Sequence, residues 1–448
     1  MAVALAGWLA ALALVMAPSA APPAAAALVG FDAPTASGTL GESITFSETF
    51  VVPSAPQRVE LLRADTSLGG DLVTEATVSP LGAGRYRATV EETEHVLPNT
   101  TIDYRFRVRL GGADETGPAA SFTLQDTRYD WQVRSGQHVR LHWYVGDTAF
   151  AERAIAVGDA AVAKVSTLLG VQETTPIDFF VYATKDGLDG ALGPGTSEFV
   201  AGRAIPEIRT LFAQIGPSDI NSDWVETVIP HELTHLVFDT ATSNPYHEPP
   251  LWLNEGLAVY ESEGYGDADR GRVSDAVRAG TLLPLTGLTG AFPERQELFY
   301  LSYAEAVSAV DFFVRTYGQP QLVQLIRSYA SGVTDDDAFK AAAGVGVAGF
   351  QAAWLASIGA GPPPTYGPRK PAAGPLLSGW STSAATGSAA PTTAANGSGG
   401  AGGPSALSDL SEGLEPVLVG AVVVAALLLV GLVVYLRRQR RAEDGPPS

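Results

Sequence analysis

The stretch His231-Glu232-Leu233-Thr234-His235, followed by Trp252-Leu253-Asn254-Glu255-Gly256, decides how the rest of the chain is read. On a helix, positions i and i+4 share a face. His231 and His235 are therefore placed to aim two imidazole nitrogens at one ion. Glu232 borders the same face, within reach of a metal-bound water without being a ligand. H-E-x-x-H on a helix is the pattern of a zinc hydrolase, with two ligands and a general base. Catalytic zinc takes three protein ligands and keeps one position open. Glu255, separated from His235 by nineteen residues and on a second predicted helix, is the natural third ligand. Gly256 beside it permits close approach of a neighbour.

Composition narrows the alternatives. The chain has 448 residues, of which 46% are apolar, enough for more than one core. There is no cysteine, so disulfides, thiolate metal sites and a cysteine nucleophile are excluded, leaving His, Asp and Glu as ligands. The formal net charge of −20 argues against a nucleic-acid partner, which needs a basic face.

The expected organisation is multidomain. Residues 1–27 are almost wholly Ala, Leu, Val and Pro, with an apolar run from Val3 to Met16, and read as a signal peptide or an uncleaved anchor. Residues 28–125 hold short alternating runs between Pro, Gly, Asn and Asp clusters. Ile102–Arg109 sets Ile, Tyr, Phe and Val against Asp and three Arg. That predicts an N-terminal β-sandwich of immunoglobulin or fibronectin type III character, acting as a spacer or recognition module. Residues 126–360 read as a mixed α+β catalytic domain with a helical C-terminal part. Predicted strands are Val139–Val145, Ile177–Tyr182 and Ile208–Ile215. Predicted helices include Phe150–Leu169, stopping at Gly170, and a motif helix over Asp223–Asp239. Pro230 starts that helix late or kinks it. From Leu251 to 358 the reading is nearly all helix.

Residues 361–414, rich in Pro, Gly, Ala, Ser and Thr, read as a disordered stalk. Residues 415–436 contain a 21-residue uncharged run, Pro416–Leu436, long enough for a single transmembrane helix. Arg437, Arg438, Arg440 and Arg441 follow, so 437–448 is expected on the cytoplasmic side. Together these features predict a single-pass cell-membrane protein, bacterial in composition, with its catalytic domain outside.

Residues 231–262 resemble the gluzincin zinc metallopeptidases, the peptidase MA-like domains. H-E-L-T-H with nineteen residues before the glutamate resembles thermolysin, and W-L-N-E-G followed by A-V-Y-E-S resembles the aminopeptidase N family more closely. The metzincin pattern does not fit, because Phe238 and Ala241 stand where it needs Gly and His. The resemblance implies Zn2+ held by His231, His235 and Glu255, with Glu232 as general base, acting on a peptide or protein substrate. It also implies an oxyanion donor. No histidine follows His247, so the thermolysin type of donor is missing. A tyrosine on a later helix serves in the aminopeptidase N family, and Tyr303 is favoured here over Tyr300. Glu261 is either a carboxylate orienting a ligand histidine or an ordinary helix residue.

Two departures matter. The glutamate lies one residue further on than in the aminopeptidase N pattern. No G-x-M-E-N segment precedes the motif; residues 200–213 offer an edge strand for an extended peptide, with Glu207 as the nearest carboxylate. This favours an endopeptidase over an aminopeptidase. The competing readings are a non-catalytic cell-surface binding or adhesion protein with a degenerate or structural zinc domain, and hydrolysis of a non-peptide amide or epoxide. His247, His138 and His142 are read as ordinary surface or strand histidines.

Overall fold

The computed structural model describes residues 28–65, 70–194 and 201–363. The signal peptide, nearly all of the stalk, the membrane span and the tail lie outside the described residues. No helix among the described residues is long and apolar enough to cross a membrane.

The N-terminal part is two antiparallel sheets laid face to face. One comprises β1 (Gly30–Phe31), β2 (Thr35–Gly38), β3 (Ile44–Val51), β6 (Thr77–Gly82) and β7 (Arg85–Glu92). The other comprises β4 (Arg58–Asp65), β5 (Gly70–Glu75), β8 (Thr101–Leu110), β9 (Ala113–Thr116) and β10 (Ala120–Thr123). The alternation read in β8 holds, with Ile102, Tyr104, Phe106 and Val108 buried. They meet Ile44, Phe46 and Phe50 of β3, and the Phe46 and Tyr104 rings pack edge-on at 4.9 Å. One inward position of β3 breaks the pattern. Glu48 is 1% exposed and neither carboxylate oxygen has a hydrogen-bond partner. Burial, reinforced by Asp32, pushes its carboxyl up to about 8, so it sits in the core as the neutral acid.

The second part is built on a third five-stranded sheet. It contains β11 (Gln132–Ser135), β12 (Val139–Trp143), β13 (Ile177–Tyr182), β14 (Gly202–Ile205) and β15 (Thr210–Gln214), in the order β11-β12-β13-β15-β14. β12, β13 and β15 are parallel, and the two edge strands are antiparallel to their neighbours. Helices α1 (Thr148–Leu169), α2 (Lys185–Leu192) and α3 (Asp223–Thr242) interleave with or follow these strands. After them come α4 (Leu251–Ser262), α5 (Asp267–Ala279), α6 (Gln296–Tyr317), α7 (Gln319–Ser328), α8 (Asp335–Ala343) and α9 (Val347–Ser357).

Local chemistry explains the ends of α1: Asp147 accepts from the Phe150 N–H, and Gly170 closes the helix in the left-handed region. α3 does not start late. It begins at Asp223 and runs through Pro230 to Thr242. Ile208–Ile215 is not one strand either. Pro206–Ile208 forms a 3-10 turn, Arg209 adopts φ +48°, and only then does β15 begin.

The sheet is buried on both sides. Along β13, Ile177, Phe179 and Val181 enter the helix-side core, while Phe180 and Tyr182 enter the core of the sandwich. β15 divides likewise, with Leu211 and Ala213 toward the helices and Phe212 toward the sandwich. Helices cover one face of an ordinary parallel sheet and more helices cover the other. Here the sandwich and α2 take the second place.

Candidate metal centre

Three elements bring the motif residues together. α3 carries His231, Glu232 and His235; α4 carries Glu255; α6 lies beside both. His231 and His235 stand one turn apart with their rings 4.9 Å between centroids and nearly perpendicular. Glu255 reaches across from α4. Its Oε2 lies 3.3 Å from His231 Nε2 and 3.5 Å from His235 Nε2. Among the described residues, these three form the one group of three or more His, Asp or Glu with ligand atoms within 4.8 Å of one another.

Those distances discriminate between two explanations. A charge-assisted hydrogen bond between imidazolium and carboxylate runs at about 2.7–2.9 Å. The observed contacts are longer, and Glu255 Oε2 is buried with no hydrogen-bond partner. Two ligand atoms about 2.0–2.1 Å from a tetrahedral zinc lie about 3.3 Å apart. The donor set and its orphaned oxygen therefore fit a shared divalent cation better than an ion pair.

Electrostatics agree with this. Burial would raise the Glu255 carboxyl, but His235, His231 and Tyr303 outweigh it and hold the group low, as a carboxylate. Burial also works against charge on His231, and the carboxylates of Glu255, Glu232 and Glu263 more than offset it.

Asn254, the residue before Glu255, fixes the second imidazole. Its Oδ1 lies 2.8 Å from His235 Nδ1. An amide oxygen only accepts, so Nδ1–H donates and the Nε2 lone pair is left for the metal side. Glu261 does not take this part. Its carboxylate pairs with Lys164 at 2.9 Å. Asn254 was visible in the W-L-N-E-G segment, but its one-residue offset from Glu255 gives no sign of its partner.

Glu232 is held from the opposite side, by β14. Its Oε2 accepts from the Ala204 N–H at 2.8 Å. Gly202 makes this approach possible: a Cβ there would lie 2.9 Å from Glu232 Cγ and 3.2 Å from Val228 Cγ1. The Gln214 N–H donates to Ala201 O, and Gly202 is paired with Ala213. By the two-residue repeat of an antiparallel ladder, Arg203 and Ile205 bond to β15 while Gly202 and Ala204 turn their backbone groups outward. The edge of the sheet beside the metal group is thus β14, and β15 lies inside the sheet.

Tyr303 and Tyr300 separate cleanly. The Tyr303 ring lies 6.2 Å from His231 and edge-on to Phe292 and Phe299, each at 5.1 Å. Burial, with Glu255 and Glu232 nearby, pushes its hydroxyl far above the usual tyrosine range, so it stays protonated and able to donate. Tyr300 instead lies under Arg272 of α5 at 5.6 Å. Gly256 packs on α6 and not toward the metal group; its Cβ would meet Ala306 O at 2.6 Å.

The remaining candidates lie elsewhere. His247 bonds to Asp335 at 2.9 Å, and His142 bonds to Asp178 at 2.7 Å while stacking on Phe180. Glu207 is exposed on the 3-10 turn and acts electrostatically on Asp239.

One family model matches the second part of the chain. Residues 157–360 match the family model described as the Peptidase MA superfamily, which supports a gluzincin-type peptidase MA domain in this chain. The match is at superfamily level and singles out neither the aminopeptidase N nor the thermolysin branch. No curated protein matches. Among solved structures, a bromine derivative of BhCBM56 is 17% identical, covering 20% of this chain and 88% of that one, at a TM-score of 0.15. The sensor domain of the anti-sigma factor RsgI4 from Pseudobacteroides cellulosolvens is also 17% identical, covering 22% and 93%, at 0.16. Likenesses at such scores carry no argument.

Proposed function

We propose that this chain is a membrane-anchored, extracellular zinc-dependent endopeptidase. The observation that carries the reading is the buried, unpartnered Glu255 Oε2, 3.3 and 3.5 Å from two imidazole nitrogens. His231, His235 and Glu255 would hold the zinc. When bound, zinc lowers the pKa of water to about 7 and polarises a carbonyl.

The chain's own residues supply the rest. Glu232 Oε2 is occupied by the Ala204 N–H, which leaves Oε1 to take the proton of the attacking water and pass it to the leaving amine. The outward backbone groups of Gly202 and the outward carbonyl of Ala204 pair with an extended peptide, which sets the scissile carbonyl beside the metal group. Tyr303 donates its hydroxyl proton in a hydrogen bond to the oxygen on which charge develops. The absence of a G-x-M-E-N segment, with Glu207 exposed on the turn, supports cleavage within a chain over removal of an N-terminal residue. The strand orders β1-β3-β7-β6 and β10-β8-β4-β5 support an immunoglobulin or fibronectin type III character for the sandwich. Anchoring and topology rest on the apolar run at 415–436 and the arginines after it.

The test is Glu232→Gln. It is expected to keep one zinc per chain and to lose casein cleavage by at least about a hundredfold. Equal cleavage by variant and parent, or no zinc in either, refutes the assignment.

A further inference from the structure

The sandwich is joined to the catalytic sheet by specific polar contacts as well as by a shared core. Asn99, in the loop before β8, has φ +69°, a region that asparagine tolerates better than most residues. Its Nδ2 donates to Thr210 Oγ1 at 2.9 Å and to Asp178 Oδ2 at 3.1 Å. Thr210 is fully buried and opens β15; Asp178 is 7% exposed and opens the same end of β13. Asp178 is also fixed by Arg140 at 2.6 and 2.7 Å and by His142 at 2.7 Å. A single sandwich side chain thus sets the spacing of two catalytic strands at their starts.

From Thr210 the contacts lead through β14 to Glu232. Thr210 is the register partner of Ile205, the last residue of β14. Ile205 is 6% exposed and buries its side chain in the sandwich core, whereas its neighbour Ala204 packs toward the helices. Ala204 N–H is the donor that holds Glu232. The edge strand is therefore gripped on one face by the sandwich and presents its other face to the general base. β14 is four residues long and has one neighbour in the sheet. Its placement depends on that grip.

We propose that the sandwich is a working half of the catalytic fold, and that Asn99 is a positioning residue that acts through Thr210 and Ile205 on β14 and so on Glu232. For its kinetic consequence this rests on the peptidase reading; for its structural consequence it does not.

The experiment uses the full chain with Asn99→Gly, which removes the amide while keeping the backbone conformation accessible. Val59→Ala, at a sandwich-core position, serves as a comparator for general loss of stability. Amide hydrogen exchange of residues 203–205, zinc content and kcat/KM on casein are measured together. Asn99→Gly is expected to speed exchange at 203–205 about tenfold, the worth of one lost hydrogen bond, and to lower kcat/KM by a similar factor at unchanged zinc content. Val59→Ala is expected to lower Tm with kcat/KM within about twofold of the parent. Exchange at 203–205 that moves no more in Asn99→Gly than in Val59→Ala overturns the proposal. If Asn99→Gly does not fold, Thr210→Val removes the acceptor from the sheet side, and the same comparison decides. If the parent binds zinc but cleaves no peptide, the peptidase reading fails, and the exchange data alone decide this one.

Discussion

Gly256→Ala probes how tightly the metal centre depends on the fit between α4 and α6. A Cβ at 256 would sit 2.6 Å from Ala306 O, 2.8 Å from Ala306 C and 2.8 Å from Val310 Cγ2. Two of these atoms are helix backbone and cannot rotate away. Restoring ordinary contact, about 3.4 Å, requires the helices to part by roughly 0.8 Å. Glu255 is the next residue on α4, and Tyr303 is one turn from Ala306 on α6. The shift therefore falls between the ligand carboxylate and the hydroxyl beside it. A misplacement of about 1 Å in a reacting group costs on the order of a hundredfold in rate. Overpacking of this kind costs about 1–3 kcal/mol of stability. The expected result is a folded protein with a lowered urea midpoint and kcat/KM on casein down by about fifty- to a hundredfold. Gly271→Ala, where nothing lies within 4 Å of the added atom, is the matched control on an exposed helix. A Gly256→Ala enzyme within twofold of the parent would show that the spacing of α4 and α6 does not set the chemistry.

Three further outcomes are expected. Asn254→Leu removes the acceptor of His235 Nδ1–H and should weaken zinc about ten- to a hundredfold in a competition titration with a chelator. Tyr303→Phe should lower kcat by about a hundredfold or more with zinc retained, whereas Tyr300→Phe leaves kcat near the parent value, measured on the same substrate. Glu305 governs a pH dependence. It is fully buried, accepts from the Leu283 N–H, and burial lifts its carboxyl to about 8. Unfolded, it titrates near 4.5. Between those values the folded state holds the extra proton, so stability falls as pH rises from about 4.5 to 8, by at most roughly 5 kcal/mol. Glu48 contributes a similar fall over the same window, so Glu305→Gln should roughly halve the decline of the urea midpoint between pH 5.5 and 8.5; an unchanged slope refutes the assignment.

The cluster of His231, His235 and Glu255 is legible because helix geometry alone aligns the two histidines and a second predicted helix carries the glutamate, whereas Tyr303 is singled out only by the resemblance to the aminopeptidase N family. Other parts were illegible for identifiable reasons. α2 is eight residues long with Gly187 and Gly190 inside it, so its pattern is weak. β14 reads Gly-Arg-Ala-Ile, too short to show alternation, and the stretch read as a single strand from Ile208 is interrupted by a turn and a left-handed arginine. Pro230 suggested a boundary that α3 ignores, since Asp223 and Glu226 already favour a helix start two turns earlier. In the sequence the sandwich reads as a separate module because its own alternation is complete. Only β13, apolar at every position except Asp178, hinted that something covers its second side.

That double-sided strand bears on how the molecule is assembled. Phe180, Tyr182 and Phe212 share one buried core with the apolar side chains of the sandwich. The N-terminal layer precedes them in the chain and closes on itself through the long-range pairs β3–β7 and β4–β8. In the folded chain it is the surface on which the later strands rest, so the sheet that sets β14 beside Glu232 has the sandwich for its floor.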